Sequence, residues 1–380
     1  MFKINDYPYL ADKTGAILPL TGGKKTILNL FRIEKPIQYV STYEWYTTKA
    51  RRLEGTITAD WDATTTTGLP ISAELAQTLF PNTILMVEDE YVKVKAVDKT
   101  ANKIDVYRRW DLGSTAATHS NWTKIFVISN AEVEGGITAE NVMSEKVRYE
   151  NFIQEITDRL TLSKRAVNSS LKDYEDLVLE ERQEKLETQL KKLQLNLIYG
   201  KPYKPAVGEA DQSAWTAGGV KHYITTGGGV ISTGALTQDN FDAFLTELAN
   251  RESEVDVLIV NPFVKTKLAK LANYTEYVDA QQQNKDVYAG YNLLGFVSNT
   301  FNGRILQVVS SPLVKTNEIF AVKADYLRVY PVKDRLTGNT QLFDFVKETN
   351  TSSAVLDETL RTVYTTEIQK PDTMGIFVVS

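Results

Sequence analysis

The sequence predicts an α+β fold in which a β-rich segment precedes one long helix, and mixed helices and strands follow. Three observations carry this prediction. Short segments with period-two alternation cluster within about residues 56–134. Leucines recur at helical spacing within residues 170–199, and beyond residue 220 apolar strands alternate with amphipathic helices. No internal repeat is present in the sequence.

The β-rich segment contains several short strands separated by turns. Residues 91–94 and 104–107 alternate apolar and polar side chains, which is typical of half-buried strands. Residues 98–102 between them have the composition of a turn. Further strands are predicted at residues 84–87 and 125–128. Such a series predicts a small β-barrel or sandwich inserted in a larger fold.

The long helix is predicted over residues 170–199. Ser170 and Asp173 have the spacing of a capping box at its start, and Gly200 ends it. At 1.5 Å per residue its length is about 45 Å. The stripe of apolar side chains along this helix is narrow. We therefore expect one side of the helix to pack against the rest of the fold and its other sides to face solvent or neighbours. The clearest stripe residues are Leu186, Leu190, Leu193 and Leu197.

The C-terminal half alternates between the two kinds of element. A helix is predicted to begin at Thr237, and a strand spans residues 255–260. Asn261 fits an N-cap followed by Pro262 at the first helical position. Val264, Leu268 and Leu271 form the next stripe. Further strands are predicted at residues 305–309, 319–322, 327–330, 362–368 and 376–379.

Composition excludes several classes of function. The chain has 380 residues, a net charge of −5 and no cysteine. Its length favours two or three domains. Because positive and negative charges are interspersed, we do not expect nucleic-acid binding to be its main function. The absence of cysteine excludes disulfides, thiolate metal sites and cysteine nucleophiles. We expect neither a secretory signal nor a membrane span, because no long apolar run is present.

The candidate catalytic groups are few. His119 and His222 are the two histidines, and neither has a partner at metal-ligand spacing. We expect His119 in a polar loop and His222 before a strand, each structural or solvated. The glycines at 227–229 lack the pattern of a phosphate loop and predict a flexible turn. The sequence therefore predicts no catalytic residue, cofactor or metal.

Two acidic clusters are the groups on which an alternative, catalytic or metal-binding function would depend. Asp60 with Asp62, and residues 88–90, have the residue types that bind calcium or act as paired carboxylates. Glu88 and Glu90 share a strand face and can converge. The favoured interpretation is a solvated turn. The competing hypothesis is a glycoside-hydrolase-like enzyme that uses these acids.

The order of the elements resembles the major capsid protein of tailed bacteriophages, the Johnson fold. Residues 91–118 resemble a small barrel inserted in the extended loop of one subfamily, and residues 151–156 with 160–163 resemble the segment before the spine helix. Residues 303–312, 318–330 and 356–360 resemble later parts of that fold. The resemblance implies an N-terminal arm (1–38), an extended loop (39–135, with the β-rich insertion at about 56–134), a peripheral domain (136–214, with the spine helix 170–199), an axial domain (215–330) and a return to the peripheral domain (331–380).

The resemblance implies assembly rather than catalysis. Copies of the chain would form hexamers and pentamers of an icosahedral shell around double-stranded DNA, in a virion assembled in the host cytoplasm. Portal, scaffold and decoration proteins are further implied partners, the DNA would not be recognised by sequence, and no membrane is involved. A tail or receptor-binding protein and a cellular encapsulating shell are alternatives. The candidate inter-subunit contacts are Arg51, Arg52, Glu54, Glu180, Glu181 and Arg182.

Overall fold

The computed structural model describes most of the chain from residue 27 onward. The described residues are 27–40, 42–48, 53–109, 113, 115–130, 146–163, 174–205, 214–251, 253–268, 274–276, 294–298, 304–334, 338, 340–347 and 355–380. The predicted capping pair at 170 and 173 and the stripe residue Leu271 lie outside them. Within them strands predominate over helices, which confirms the α+β class.

The strands are β1 (Arg32–Ile33), β2 (Ile37–Gln38), β3 (Thr42–Thr48), β4 (Glu54–Thr56), β5 (Leu69–Pro70), β6 (Thr83–Val87), β7 (Glu90–Asp98), β8 (Lys103–Arg108), β9 (Lys124–Asn130), β10 (Lys146–Phe152), β11 (Gln154–Ser163), β12 (Val230–Gly234), β13 (Val257–Val260), β14 (Tyr274–Glu276), β15 (Leu294–Ser298), β16 (Arg304–Ser310), β17 (Glu318–Val322), β18 (Leu327–Lys333), β19 (Asp344–Lys347), β20 (Val355–Ile368) and β21 (Gly375–Val379). The α-helices are α1 (Ala73–Thr78), α2 (Tyr174–Tyr199), α3 (Val220–Thr226), α4 (Gln238–Asn250) and α5 (Pro262–Leu268).

The chain divides into two compact units. Residues 48–146 form one, which we call the barrel unit, and residues 1–47 with 147–380 form the other, the main unit. The division into arm, extended loop, peripheral and axial domains stays a prediction.

The barrel unit is a six-stranded antiparallel sheet in the order β4-β9-β6-β7-β8-β5. An antiparallel bridge between Ile57 and Ile71 joins the two ends of this sheet, so the strands close into a small barrel. Inward side chains such as Leu85, Val92 and Val106 fill the interior, and all are fully buried or nearly so. The strands predicted in this segment are all present, which confirms the β-rich prediction.

The main unit contains a seven-stranded mixed sheet in the order β12-β21-β17-β13-β16-β15-β14. Strand β13 is buried along its whole length, because both faces of the sheet are covered. Val257 and Ile259 belong to one hydrophobic cluster, whereas Leu258 and Val260 belong to the cluster that contains helix α4. This alternation explains why the strand reads as a continuous apolar run.

A second sheet in the main unit lies against helix α2. Its order is β1-β18-β20-β11, with β19 also paired to β20 and β2 to β18. Ten residues of β11 pair antiparallel with β20, from Gln154 opposite Tyr364 to Ser163 opposite Val355. The leucine stripe of α2 is buried, which confirms the packing predicted for that face.

The position predicted for His222 was wrong. His222 lies in helix α3, not before a strand. The physical reason is the spacing of Val220, Tyr223 and Ile224, which bury one face of a helical turn at i, i+3 and i+4. The chain then turns at Gly228, whose φ of +81° suits glycine, and strand β12 follows.

Candidate functional site

The predicted contact residues fall in three environments. Arg51 and Arg52 lie outside the described residues. Glu54 begins strand β4 and is half-buried. Glu180 and Glu181 lie in α2, where Glu181 is half-exposed. Their role between subunits stays a prediction.

Arg182 has a partner within its own chain. Its Nε donates to Glu358 Oε2 at 2.9 Å, and its Nη2 donates to Oε1 at 2.7 Å. The two side chains are only 12% and 6% exposed. The guanidinium also lies 5.9 Å from the centre of the Phe345 ring. The pair therefore holds helix α2 to strand β20.

Buried amides extend this attachment along the helix. Gln189 Nε2 donates to the carbonyl of Leu360 at 2.7 Å, and its Oε1 accepts from Thr362 Oγ1 at 2.8 Å. Gln194 Oε1 accepts from the backbone amide of Ile27 at 3.3 Å. Both glutamines are fully buried. Helix α2 is thus attached to β20 and to the N-terminal segment by directional bonds as well as by leucines.

A third polar contact lies at the end of the same sheet. Asn151 is fully buried; its Nδ2 donates to Thr366 Oγ1 at 2.7 Å, and its Oδ1 accepts from the Gly218 amide at 2.7 Å. Nearby, Asn196 Nδ2 donates to the Tyr364 hydroxyl at 2.6 Å. Burial raises the pKa of Tyr364 above its ordinary value, so the phenol stays neutral in the fold. The hydrogen bonds of these buried groups are made within the chain, so together they form a structural network.

The acidic cluster at residues 88–90 is a solvated turn only in part. Glu88 and Asp89 are exposed in the turn between β6 and β7, as predicted, but the prediction was wrong for Glu90. Glu90 is 2% exposed and lies in the barrel interior. Arg108 Nη2 donates to Glu90 Oε2 at 3.1 Å, and Arg108 Nε lies 3.0 Å from Glu90 Oε1. His119 Nε2 lies 2.8 Å from Glu90 Oε2, and its Nδ1 lies 2.9 Å from Glu88 Oε2. His119 is therefore buried and oriented within a loop segment, which agrees with the structural role expected of it.

The strand pattern explains this cluster. Glu90 has the same parity along β7 as Val92 and Val94, so its side chain points inward with theirs. That parity is visible in the sequence, but the partner histidine is 29 positions away. A buried carboxylate at such a position needs a cation, and Arg108 from the neighbouring strand β8 supplies it.

This arrangement does not resemble an open catalytic dyad. Carboxylates occupy both ring nitrogens of His119, and the ring is 1% exposed. Asp60 accepts from the Asn121 amide at 2.6 Å, and Asp62 accepts from Thr64 Oγ1 at 3.2 Å, so both cap exposed loops. Among the described residues, no group of three or more histidine, aspartate or glutamate side chains is placed to hold a metal ion.

No helix in the described part of the chain is both long enough and apolar enough to cross a bilayer.

The chain is similar to several solved capsid structures at low sequence identity. It shares 14% identity with the capsid asymmetric unit of cyanophage A-1(L), over 66% of this chain and 84% of that one, with a TM-score of 0.45. It shares 9% with a Mycobacterium phage Adephagia chain, over 96% and 92%, with a TM-score of 0.42. It shares 8% with the capsid of a native GTA particle, over 94% and 90%, with a TM-score of 0.43.

The sequence comparisons decide the family. No curated protein matches the chain in sequence. The family model described as SU10 major capsid protein matches residues 28–379, which is most of the chain. The chain therefore belongs to the SU10 major capsid protein family, and its function is to form a capsid shell.

Proposed function

We propose that copies of this chain assemble as hexamers and pentamers into an icosahedral shell that encloses double-stranded DNA. The observation that carries the proposal is the family match over residues 28–379. The shell is the wall of a virion, and its subunits assemble in the host cytoplasm. Portal, scaffold and decoration proteins are the further proposed partners of the shell.

Two short strands near the N-terminus pair with the main unit. This pairing supports the predicted N-terminal arm, because it would fix the base of that arm. Strands β1 and β2 pair in parallel with β18, with Ile33 opposite Val329 and Ile37 opposite Val332. The buried Gln194 also accepts from the amide of Ile27, as described above. Chain termini order only when something ties them down. We infer that this base directs the arm, predicted as residues 1–38, toward a neighbouring subunit.

The charged candidates divide into two roles. Arg182 has its charge matched by Glu358, so its role is to keep helix α2 on its own sheet. The proposed contacts between subunits remain Glu54, Glu180, Glu181 and the arginines at 51 and 52. Exposed ion pairs contribute about 0–1 kcal/mol each, so many such contacts give reversible assembly.

The packaged DNA is held by enclosure rather than by sequence recognition. The chain carries a net charge of −5. Proteins whose main function is to bind nucleic acid usually carry a strong excess of lysine and arginine. We therefore expect no preference for any DNA sequence in a binding assay with assembled particles.

The test is negative-stain electron microscopy of the fast-sedimenting fraction after expression in bacteria. We expect closed particles or hexameric sheets from the unsubstituted chain, alone or co-expressed with scaffold and portal proteins. A closed trimer or a monomer in both conditions, even at high protein concentration, would contradict the proposal.

A further inference from the structure

A buried histidine in the barrel unit faces one carboxylate with each of its ring nitrogens. His119 Nε2 lies 2.8 Å from Glu90 Oε2, and His119 Nδ1 lies 2.9 Å from Glu88 Oε2. An ionised carboxylate only accepts hydrogen bonds, whereas a neutral imidazole has one N–H and one bare nitrogen. Both contacts can therefore be hydrogen bonds only if this group of three side chains holds one proton beyond that of a neutral ring.

The contacts of Glu90 show that the extra proton is not on Glu90. Arg108 Nη2 and the Ala117 amide each donate to Glu90 Oε2 at 3.1 Å. Arg108 Nε lies 3.0 Å from Glu90 Oε1. Since both oxygens of Glu90 face N–H groups, neither is placed to carry a hydrogen of its own. The extra proton therefore lies between His119 Nδ1 and Glu88 Oε2, and the ring nitrogen, which is the stronger base, carries it.

The other acids near the ring do not take part. Asp60 and Asp62 cap exposed loops, as described above, and Asp89 is exposed in the turn between β6 and β7. Within the described part of the barrel unit, Glu88 and Glu90 are the charged groups that contact the ring. Protonation of the ring is therefore coupled to these two acids.

The two carboxylates are held very differently. The side chain of Glu90 is 1% exposed and keeps Arg108 as its partner whether or not the ring is charged. The side chain of Glu88 is 59% exposed, and its φ of +54° is a left-handed conformation that few residues with a side chain adopt. If the extra proton leaves, the bare Nδ1 and the Glu88 carboxylate repel each other, and Glu88 can turn into water. The ring keeps its bond to Glu90, so neither form leaves a buried charge without a partner.

We propose that His119 and Glu88 form a proton-dependent latch, which fastens the turn at residues 88–89 to the segment 115–119. With the extra proton bound, the latch is closed by a charge-assisted hydrogen bond. Without that proton the latch is open, and the turn is held only by its own strands. The inference goes beyond shell formation, because it assigns a conformational device to the barrel unit of a single chain.

The direction of the pH dependence follows from the number of protons in each form. The closed latch binds one proton more than the open latch, so acid favours the closed form and base favours the open form. An imidazole without such a contact loses its proton at about pH 6.5. We therefore expect the latch to remain closed at about that pH and to open as the solution becomes more alkaline.

The ring nitrogens of His119 report the extra proton directly. The chain has two histidines, so His222→Gln leaves His119 as the one source of signal in protein labelled with ¹⁵N in the histidine ring. In unassembled, full-length protein at about pH 7.5, where a free imidazole is mostly neutral, we expect NMR to show a proton on both nitrogens of His119. At about pH 9 we expect a proton on Nε2 alone. A neutral ring at the lower pH would overturn the proposal.

A matched pair of substitutions in the same turn tests the mechanism. Glu88→Gln supplies an amide that has both a donor and an acceptor, so it can bond either form of the ring and needs no extra proton. Asp89→Asn makes the same charge change at the neighbouring residue, whose side chain is exposed. Protection of the Ala117 and His119 amides against hydrogen exchange measures how often the segment opens, because both amides are bonded within the barrel unit.

The protection factor of these amides is corrected for the intrinsic effect of pH on exchange. We expect it to fall about tenfold between about pH 6 and about pH 9 in the unsubstituted chain and in Asp89→Asn, and to change by less than about twofold in Glu88→Gln. The same fall in Glu88→Gln as in the unsubstituted chain would overturn the latch. A loss of the fall in Asp89→Asn would also overturn it, because the net charge of the turn, rather than the bond to His119, would then control opening. All of these measurements use unassembled protein, so a failure of shell formation leaves this test intact.

Discussion

Arg182 and Glu358 are 176 positions apart in the chain and form a bidentate ion pair, with nitrogen–oxygen distances of 2.7 and 2.9 Å. The pair joins helix α2 to strand β20 in the main unit. Because both side chains are largely buried, each charge depends on the other rather than on water. The consequence is that removal of one partner costs more than removal of both.

The first prediction concerns this dependence. Arg182→Met leaves the Glu358 carboxylate buried without its cation, so we expect a loss of about 3–5 kcal/mol in the free energy of unfolding. The double variant Arg182→Met/Glu358→Leu replaces the pair by apolar side chains and should lose clearly less. Urea unfolding of unassembled protein measures both. Glu181→Gln, the half-exposed neighbour, is the control and should change the value by no more than about 0.5 kcal/mol.

A specific result would contradict this account of the pair. If Arg182→Met costs less than about 1 kcal/mol, the pair behaves as an exposed one and does not hold the helix to the sheet. A double variant as unstable as the single one would show that the packing around the pair, and not its charge, carries the stability.

The second prediction compares two acids on the same histidine. The Glu90 side chain is 1% exposed and the Glu88 side chain 59% exposed. Glu90→Gln leaves the buried Arg108 without its counter-ion, so we expect a loss of about 3–5 kcal/mol. Glu88→Gln should cost about 1 kcal/mol or less, because water replaces the exposed carboxylate. Chemical unfolding followed by tryptophan fluorescence measures both, since Trp61 lies 6.2 Å from the His119 ring. Equal losses in the two variants would show that burial does not decide the cost.

Elements with strong local signals were predictable from the sequence. The helix expected from Thr237 is α4, and the Thr237 hydroxyl accepts from the Asn240 amide as an N-cap does. Asn261 likewise accepts from the Phe263 amide ahead of α5, with Pro262 at the first helical position. In these places the residues that define the element lie within one or two turns of each other, so no tertiary information is needed.

The polar groups of the core were not predictable in the same way. Gln189 is three residues after Leu186 and four before Leu193, so the helical period places it on the buried face, but its polarity argued against burial. Its main partner, the Leu360 carbonyl, is 171 positions away. Glu90 is similar, because the cation that permits its burial comes from another strand. Burial of a polar side chain depends on a partner that sequence periodicity does not identify.

The third prediction concerns the close approach at the end of helix α2. A methyl group at Gly219 would lie 2.5 Å from the Asn196 carbonyl oxygen and 2.7 Å from that of Leu197. These are backbone atoms that cannot turn aside, so Gly219→Ala should destabilise the main unit by about 1–3 kcal/mol. Gly234→Ala is the control, because its nearest neighbour is the Asn240 side-chain amide at 3.3 Å. Differential scanning calorimetry should show a lower melting temperature only for Gly219→Ala. If Gly219→Ala melted at the same temperature as the unsubstituted chain, the backbone at Gly219 could move away from the end of helix α2 without cost.

The fourth prediction concerns pH and His222. Burial, with a smaller contribution from the positive charge of Lys201, lowers the pKa of His222 below its ordinary value of about 6.5. Above that pH the ring is neutral in both folded and unfolded chains and makes no difference to stability. As the pH falls through about 6.5, the unfolded chain binds a proton that the folded chain does not, so the free energy of unfolding decreases. His222→Gln removes this proton uptake, and the fall in stability between about pH 7.5 and about pH 5.5 should be smaller in the variant than in the unsubstituted chain. Urea midpoints at the two pH values measure the difference, and the carboxylates that also titrate cancel in the comparison. A variant with the same or a steeper fall would show that the ring is protonated as readily in the fold as in the unfolded chain.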